Sequence, residues 1–402
     1  MRVAFFTPYL PYPPDAGGKI RSYYLLQALA ARLEVDLFTV YDGLGPSRKD
    51  VEALQEVCRQ VILFRLERSW RTRDRVWRTL SPVPRSVSYF HTPASLAEAQ
   101  QRLRQAAYDV VVVDELSMTP YAELCAGVPR LIMRQKVDSA HYRQMAQARP
   151  LGLDKLLDLI EARQLRRYER IKMPLYQAYL ACSQQDAALI RRDAPGIPAL
   201  VIPNGADLSQ FIPPDRPRAA EPRLLYVGSM HYYPNVDAVQ FFFQEIYDAI
   251  RQEVPGVRVQ IVGHNPPPSI QALARLPDVE VTGTVPDVRP YYRQATVFIV
   301  PLRLGGGTRL KVVEAMAMDL PVVSTTVGAE GLEIRPGENI LIADDAASFA
   351  AGVLRLLTDA DLRRSIAEGG QELARRYDWI EITRSWAELV ERMGRQWKQA
   401  DV

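Results

Sequence analysis

The sequence predicts an α/β protein built from two doubly wound parallel sheets, and three observations carry that expectation. Short apolar runs alternate with longer helical stretches along almost the whole chain, the order that βαβ units produce. Residues 110–113 are valine throughout, as fits a strand covered by helices on both faces. The alternation then restarts after a proline-rich stretch. Pro213, Pro214, Pro217 and Pro222 fall within residues 207–223, and Pro203 just precedes them; this is linker chemistry.

In the first half, strands are expected at residues 2–7, 35–40, 61–64 and 110–113, with a helix over 20–33 where apolar residues recur at helical spacing. Residues 131–133, 178–182 and 200–202 are shorter strand candidates between helical segments. In the second half, strands at 224–227, 257–262, 279–282, 296–300 and 321–324 alternate with helices near 237–252, 269–276, 288–293 and 309–318. The expected domains are 1–203 and 204–379, with a C-terminal helix in 380–402 packing back on the first. Ligands of doubly wound sheets bind outside the carboxyl ends of the strands. Two such domains facing each other across a cleft offer one face to each of two substrates.

Composition narrows the class further. The chain has 402 residues, 48% hydrophobic and 24% charged, which rules out wholesale disorder. Fifty basic residues stand against 47 acidic ones, for a net charge of +3, so a nucleic-acid partner is not expected. Cys58, Cys125 and Cys182 lie far apart, with no spacing for a metal or redox pair, and a reducing compartment is expected. His91, His141, His231 and His264 are equally scattered. The N-terminal apolar run is too short for a signal peptide and no window reaches the ~20 apolar residues of a spanning helix. The expectation is a soluble, cytoplasmic protein.

The most informative stretch is PLRLGGGTRLKVVEAMAMDLP, residues 301–321. A strand ends at Pro301, glycines Gly305, Gly306 and Gly307 follow, and a helix is expected to start near Thr308, a candidate N-cap. Glycines let backbone amides approach an anion at a helix start. Arg309 and Lys311 add cations where the helix dipole alone disfavours them. Lys311 and Glu314 share a face, which suits a phosphate beside the cations and a sugar hydroxyl at Glu314. An ordinary turn with a solvated Lys–Glu pair is the bland alternative.

This stretch resembles the signature of the retaining glycosyltransferases of family 4, which have the GT-B fold of two Rossmann-like domains. Residues 314–323, EAMAMDLPVV, match the second half of that signature. Its usual first Glu would fall at Gly306, and this departure resembles a branch with a GGGTR-x-K donor loop. Gly17 and Gly18 are similar to the family's first Gly-rich loop, and residues 201–207, VIPNGAD, to its domain junction. Gly228 and Ser229, Gly263, and Val285 end segments similar to the strands that meet the nucleotide sugar.

The resemblance implies transfer of a hexose from a UDP- or GDP-linked nucleotide sugar to a glycan, lipid-linked or small-molecule acceptor, with retention, no cofactor and no metal. Residues 228–233 lack the cations common after the first strand of the donor domain. Arg303, Arg309 and Lys311 therefore become the pyrophosphate partners, with Gly306, Gly307 and Thr308 beside them. Arg134-Gln135-Lys136-Val137-Asp138 lacks the His of related sequences, so Asp138, His141 or neither contacts the transferred sugar. A GT-B nucleotide-sugar epimerase and a non-catalytic nucleotide- or carbohydrate-binding protein are the alternatives.

A second feature spans residues 59–85. Arg59, Arg65, Arg68, Arg71, Arg73, Arg75, Arg78 and Arg85 face only Glu67 and Asp74, with Trp70 and Trp77 interleaved. Such a surface suits peripheral contact with an anionic inner-membrane face or a lipid-linked acceptor; a solvated helix with its tryptophans in the core is an equal reading. The basic run at residues 163–172 also holds Glu169, with Glu161 just before it, and reads as a solvated helix.

Overall fold

In a computed structural model describing residues 1–66, 81–214, 221–230, 232–305 and 309–400, apart from the side chains of residues 148, 398 and 400, the chain divides into two units. One comprises Met1–Pro203 with Ile380–Val402, the other Asn204–Trp379.

The first unit holds a seven-stranded parallel sheet of β1 (Arg2–Thr7), β2 (Glu34–Tyr41), β3 (Gln60–Arg65), β4 (Val110–Asp114), β5 (Arg130–Met133), β6 (Ala178–Ala181) and β7 (Ala199–Val201). Its order is β3-β2-β1-β4-β5-β6-β7, so the winding reverses between β1 and β4, where Val3 lies beside Val110. All five residues of β4 are buried. On one face Phe6 stacks on Phe38 at 4.8 Å and Phe64 on Tyr121 at 5.7 Å, so aromatic area fills the space under the flanking helices.

The first helix, Gly17–Ala30, begins three residues before the expected start, because Gly17 and Gly18 lie inside its first turn rather than ahead of it. The final helix, Trp379–Ala400, closes the first unit. Its Trp386 is fully buried and donates Nε1–H to the Leu25 carbonyl at 3.0 Å. A Cβ on Gly394 would lie 2.5 Å from Met1 Sδ, so the helix passes close over the start of the chain.

The second unit repeats the plan with β8 (Arg223–Val227), β9 (Arg258–Val262), β10 (Val279–Gly283), β11 (Val297–Val300), β12 (Val322–Ser324) and β13 (Leu341–Ile342). The order is β10-β9-β8-β11-β12-β13, all parallel, and the switch point lies between β8 and β11. The helix expected over 237–252 starts earlier, at Tyr233, with Pro234 in the first turn, where its missing N–H is harmless. A π-helical turn at Phe242–Ile246 then leads to the helix Tyr247–Glu253. The two-residue β13 was too short to be foreseen. The helices Ala346–Thr358 and Ala360–Arg375 beyond it are capped by Asp345 and Asp359.

The helix after β11 runs Leu310–Ala317, with Arg309 rather than Thr308 at its N-cap position and no side-chain cap. The expected cap is thereby corrected: the backbone becomes helical only after Arg309, whose φ of −88° and ψ of 87° lie outside the helical range. Part of the expected linker, residues 215–220, lies outside the described residues.

Candidate functional site

In the second unit the candidates gather at the carboxyl ends of β8, β9 and β11. The Gly228 N–H donates to the Val262 carbonyl at 2.9 Å. A Cβ on Gly263 would stand 1.8 Å from the Gly228 carbonyl oxygen, so the two loops touch backbone to backbone and only glycine fits at 263. Ser229 Oγ lies 2.9 Å from His264 Nε2. Val285 sits in the loop after β10, partly buried.

Asn235, on the helix Tyr233–Phe241, ties these loops to the cation. Its Nδ2 donates to the Ser229 carbonyl at 2.8 Å, and its Oδ1 accepts from Tyr226 Oη at 2.8 Å and Lys311 Nζ at 3.0 Å. Lys311 also donates to Tyr226 Oη at 3.1 Å. Loss of hydration pushes the Lys311 ammonium down to about 7; Arg309 pushes the same way, and Glu314 opposes both. The Glu314 carboxyl is raised by burial, against the opposing effects of Lys311 and a hydrogen bond from the buried Tyr292 hydroxyl at 3.0 Å.

Arg309 is largely buried. Its Nη2 lies 3.4 Å from the Val327 carbonyl and 3.9 Å from Glu330. Gly305, at φ +123°, leaves the room: a Cβ there would meet Arg309 Nη2 at 2.7 Å. Arg303 is differently placed. It holds Asp237 through two hydrogen bonds of 3.1 and 2.7 Å and stacks 4.5 Å over Phe241, so its charge is already matched by a carboxylate. Gly306, Gly307 and Thr308 lie outside the described residues. The site is therefore a pair of cations, Arg309 and Lys311, brought close at the start of one helix, with Glu314 one turn on.

In the first unit Gly17 opens its helix exposed, while a Cβ on Gly18 would lie 2.6 Å from Tyr9 Oη and 2.9 Å from Gln135 Nε2. Asp138 begins the helix Asp138–Ala148 and bonds to the buried Arg134, which also binds Glu169 at 2.7 Å. Asp138 is thus held in an ion network.

Sequence reasoning missed the groups beside it. Asp114 accepts from Ser22 and is pushed up to about 6, mainly by burial, against the pull of Ser22 and Arg21. Glu115, pushed up to about 8 by burial and by Asp138 and Asp114, accepts from the Gln135 N–H at 3.3 Å. Its φ of 70° is unusual for a non-glycine residue, a strain that clusters at functional positions. The available signal was two adjacent carboxylates directly after the apolar run 110–113.

Of the basic run at 59–85, Arg68, Arg71, Arg73, Arg75, Arg78, Trp70 and Trp77 lie outside the described residues. Arg59 pairs with Asp36, and Arg85 with Glu161 at 3.2 Å. Among the described residues no group of three or more His, Cys, Asp or Glu could hold a metal ion, and no helix is long and apolar enough to cross a membrane.

Comparison with known proteins bears on both units. Residues 221–359, spanning the cation pair, match the sequence model of the family described as glycosyl transferases group 1. The phosphatidyl-myo-inositol mannosyltransferase of Mycobacterium tuberculosis is 29% identical over 201 residues, 46% of this chain and 52% of that one. The chain's match spans about half or less of the length of the first curated relatives. Over its whole length, the structure resembles sucrose-phosphate synthase from Thermosynechococcus elongatus, with a TM-score of 0.72 at 20% identity, covering 98% of this chain and 99% of that one. HepE of Anabaena, solved in complex with UDP and glucose, gives 0.65 at 15% identity, covering 97% and 99%. The fold is therefore GT-B, two Rossmann-like domains each built on a parallel sheet.

Proposed function

We propose that the protein is a glycosyltransferase that moves a hexose from a nucleotide sugar, UDP- or GDP-linked, to a glycan or lipid-linked acceptor with retention of configuration. The observation that carries this reading is the desolvated Lys311 ammonium, held on Tyr226 and Asn235 next to Arg309 at the mouth of β8 and β11. Two crowded cations at a helix start repel each other and the helix dipole. A diphosphate relieves both.

In the reaction, the bond between the anomeric carbon and the diphosphate oxygen breaks, and negative charge grows on the leaving group. Lys311, Arg309 and the amides at the helix start are oriented in advance to neutralise it, the task that a divalent cation performs in other transferases. The acceptor hydroxyl attacks from the same face, and its proton passes to the departing phosphate oxygen. Glu314 accepts a hydrogen bond from a donor-sugar hydroxyl, and Gly228, Gly263 and Val285 bound the nucleotide. The family match over residues 221–359 and the UDP in the HepE complex support a nucleotide sugar as donor. Similarity to the phosphatidyl-myo-inositol mannosyltransferase supports a lipid-linked acceptor among the candidates.

A thermal-shift screen of UDP- and GDP-sugars tests the donor. One or a few should raise the melting temperature of the protein and lose that effect in Lys311→Met. No shift with any of them counts against the reading.

A further inference from the structure

In the first unit, the helices Asp138–Ala148 and Leu153–Lys172 form a hairpin whose tip is apolar and exposed. Leu151 is 92% exposed, Leu153 71%, Leu156 54% and Leu159 44%. These leucines are not the core stripe of the longer helix. That stripe is Ala162, Leu165 and Tyr168, buried on the opposite side. The exposed stripe begins with Leu156 and Leu159 and continues along the same face with Arg163, Arg167 and Arg170. A soluble surface with no partner would seldom cluster four leucines this way.

The charges beside the tip are unbalanced. Among the acids of the hairpin, Asp154 and Asp158 pair with Arg149 at 3.4 and 3.0 Å, Glu161 with Arg85, and Asp138 and Glu169 with Arg134. Asp193, on the next helix, serves Arg166, Arg170 and Arg192. Among the described residues no carboxylate pairs with Arg143, Arg163 or Arg167, and all three are exposed. Beside the hairpin lies an open groove of about 640 Å³ lined by Ala140, Leu159 and Leu189 together with Arg143, Arg163 and Arg192. An apolar tip with a collar of uncompensated arginines matches the profile of an anionic bilayer, acyl chains below and phosphates above.

We propose that this hairpin docks the protein on an anionic lipid bilayer, with Leu151, Leu153 and Leu156 inserted among the acyl chains and Arg143, Arg163 and Arg167 at the phosphates. The inference does not depend on the transfer reaction, since binding is read without turnover.

The test is co-sedimentation of the full chain with vesicles of phosphatidylcholine alone or mixed with phosphatidylglycerol. The wild type should bind the mixed vesicles and bind pure phosphatidylcholine far more weakly. Leu151→Asn/Leu153→Asn and Arg143→Glu/Arg163→Glu should each weaken binding by roughly tenfold or more with unchanged melting temperatures, since every substituted side chain is exposed. Three results would overturn the proposal. They are no binding to either vesicle, equal binding by wild type and both variants, or a concentration-dependent dimer that the leucine variant abolishes, which would make a second copy the occupant.

Discussion

The Nζ of Lys311 lies 4.4 Å over the ring centroid of Tyr226 and 3.1 Å from its hydroxyl. The ring face and the hydroxyl hold the ammonium in place, yet neither supplies a full negative charge. That leaves the cation poised for an anionic ligand. Replacing Lys311 by Met should lower nucleotide release from the donor by roughly 10²-fold or more, by analogy with the loss of one positioned donor to a developing anion. The melting temperature at pH 6 should not fall, because a desolvated cation is removed.

The depressed Lys311 value gives a pH prediction for donor binding. The free site loses its proton at about 7, and a bound diphosphate restores it. Above pH 7 binding must therefore take up a proton, and affinity should fall as pH rises through 7 and 8. Calorimetry at pH 8 in buffers of different ionisation enthalpy should show that uptake in the wild type and none in Lys311→Met.

Glu314 calls for two variants rather than one. Glu314→Ala removes the acceptor of the buried Tyr292 hydroxyl and should destabilise the fold by about 1–3 kcal/mol, the usual effect of leaving such a group unsatisfied. Glu314→Gln keeps an acceptor for Tyr292 and should leave the melting temperature near that of the wild type. Both should lose transfer activity. Full activity in Glu314→Gln would remove the carboxylate from the reaction.

Gly263 and Gly18 should respond differently to alanine. At 263 the new Cβ meets the backbone oxygen of Gly228 at 1.8 Å, so one of the two loops must move. A loss of about 3 kcal/mol or more is expected in urea unfolding, at the upper end of overpacking effects. At 18 the obstacles are the ends of the Tyr9 and Gln135 side chains, which can swing aside, and the loss should be clearly smaller.

Glu115 provides a stability measurement with a definite sign. Its carboxyl sits at about 8, raised mainly by burial, whereas an unfolded glutamate titrates near 4.3. The folded state binds the extra proton between these values, so the contribution of Glu115 is full below pH 4 and is lost as pH rises through 8. Glu115→Gln cannot ionise. Its melting temperature relative to the wild type should therefore rise between pH 5 and pH 9, and a difference independent of pH would contradict the assignment.

The fold was readable where one physical pattern dominated. The four-valine run of β4 and the proline-rich break at 203–222 announced the parallel sheets and their repetition, because both depend on local sequence alone. The cation pair was readable too, since its residues lie two apart on one helix and its cap. Asn235 and Tyr226 were not, because they reach Lys311 from 76 and 85 residues away. Arg303 illustrates the converse. Its charge suggested a phosphate partner, but only the fold brings Asp237, 66 residues distant, into a two-point contact with it. At Glu115 the adjacent carboxylates are visible in the sequence, whereas the backbone strain has no signature there.

The central claim, that the Arg309–Lys311 pair receives the diphosphate of a nucleotide sugar, is tested most directly by nucleotide release from a panel of UDP- and GDP-sugars, with wild type and Lys311→Met side by side. At least one donor should release its nucleotide with the wild type, faster when a glycan or lipid-linked acceptor is present, and the variant should lose that release. Turnover of the variant at the wild-type rate, or no release from any donor, would contradict it.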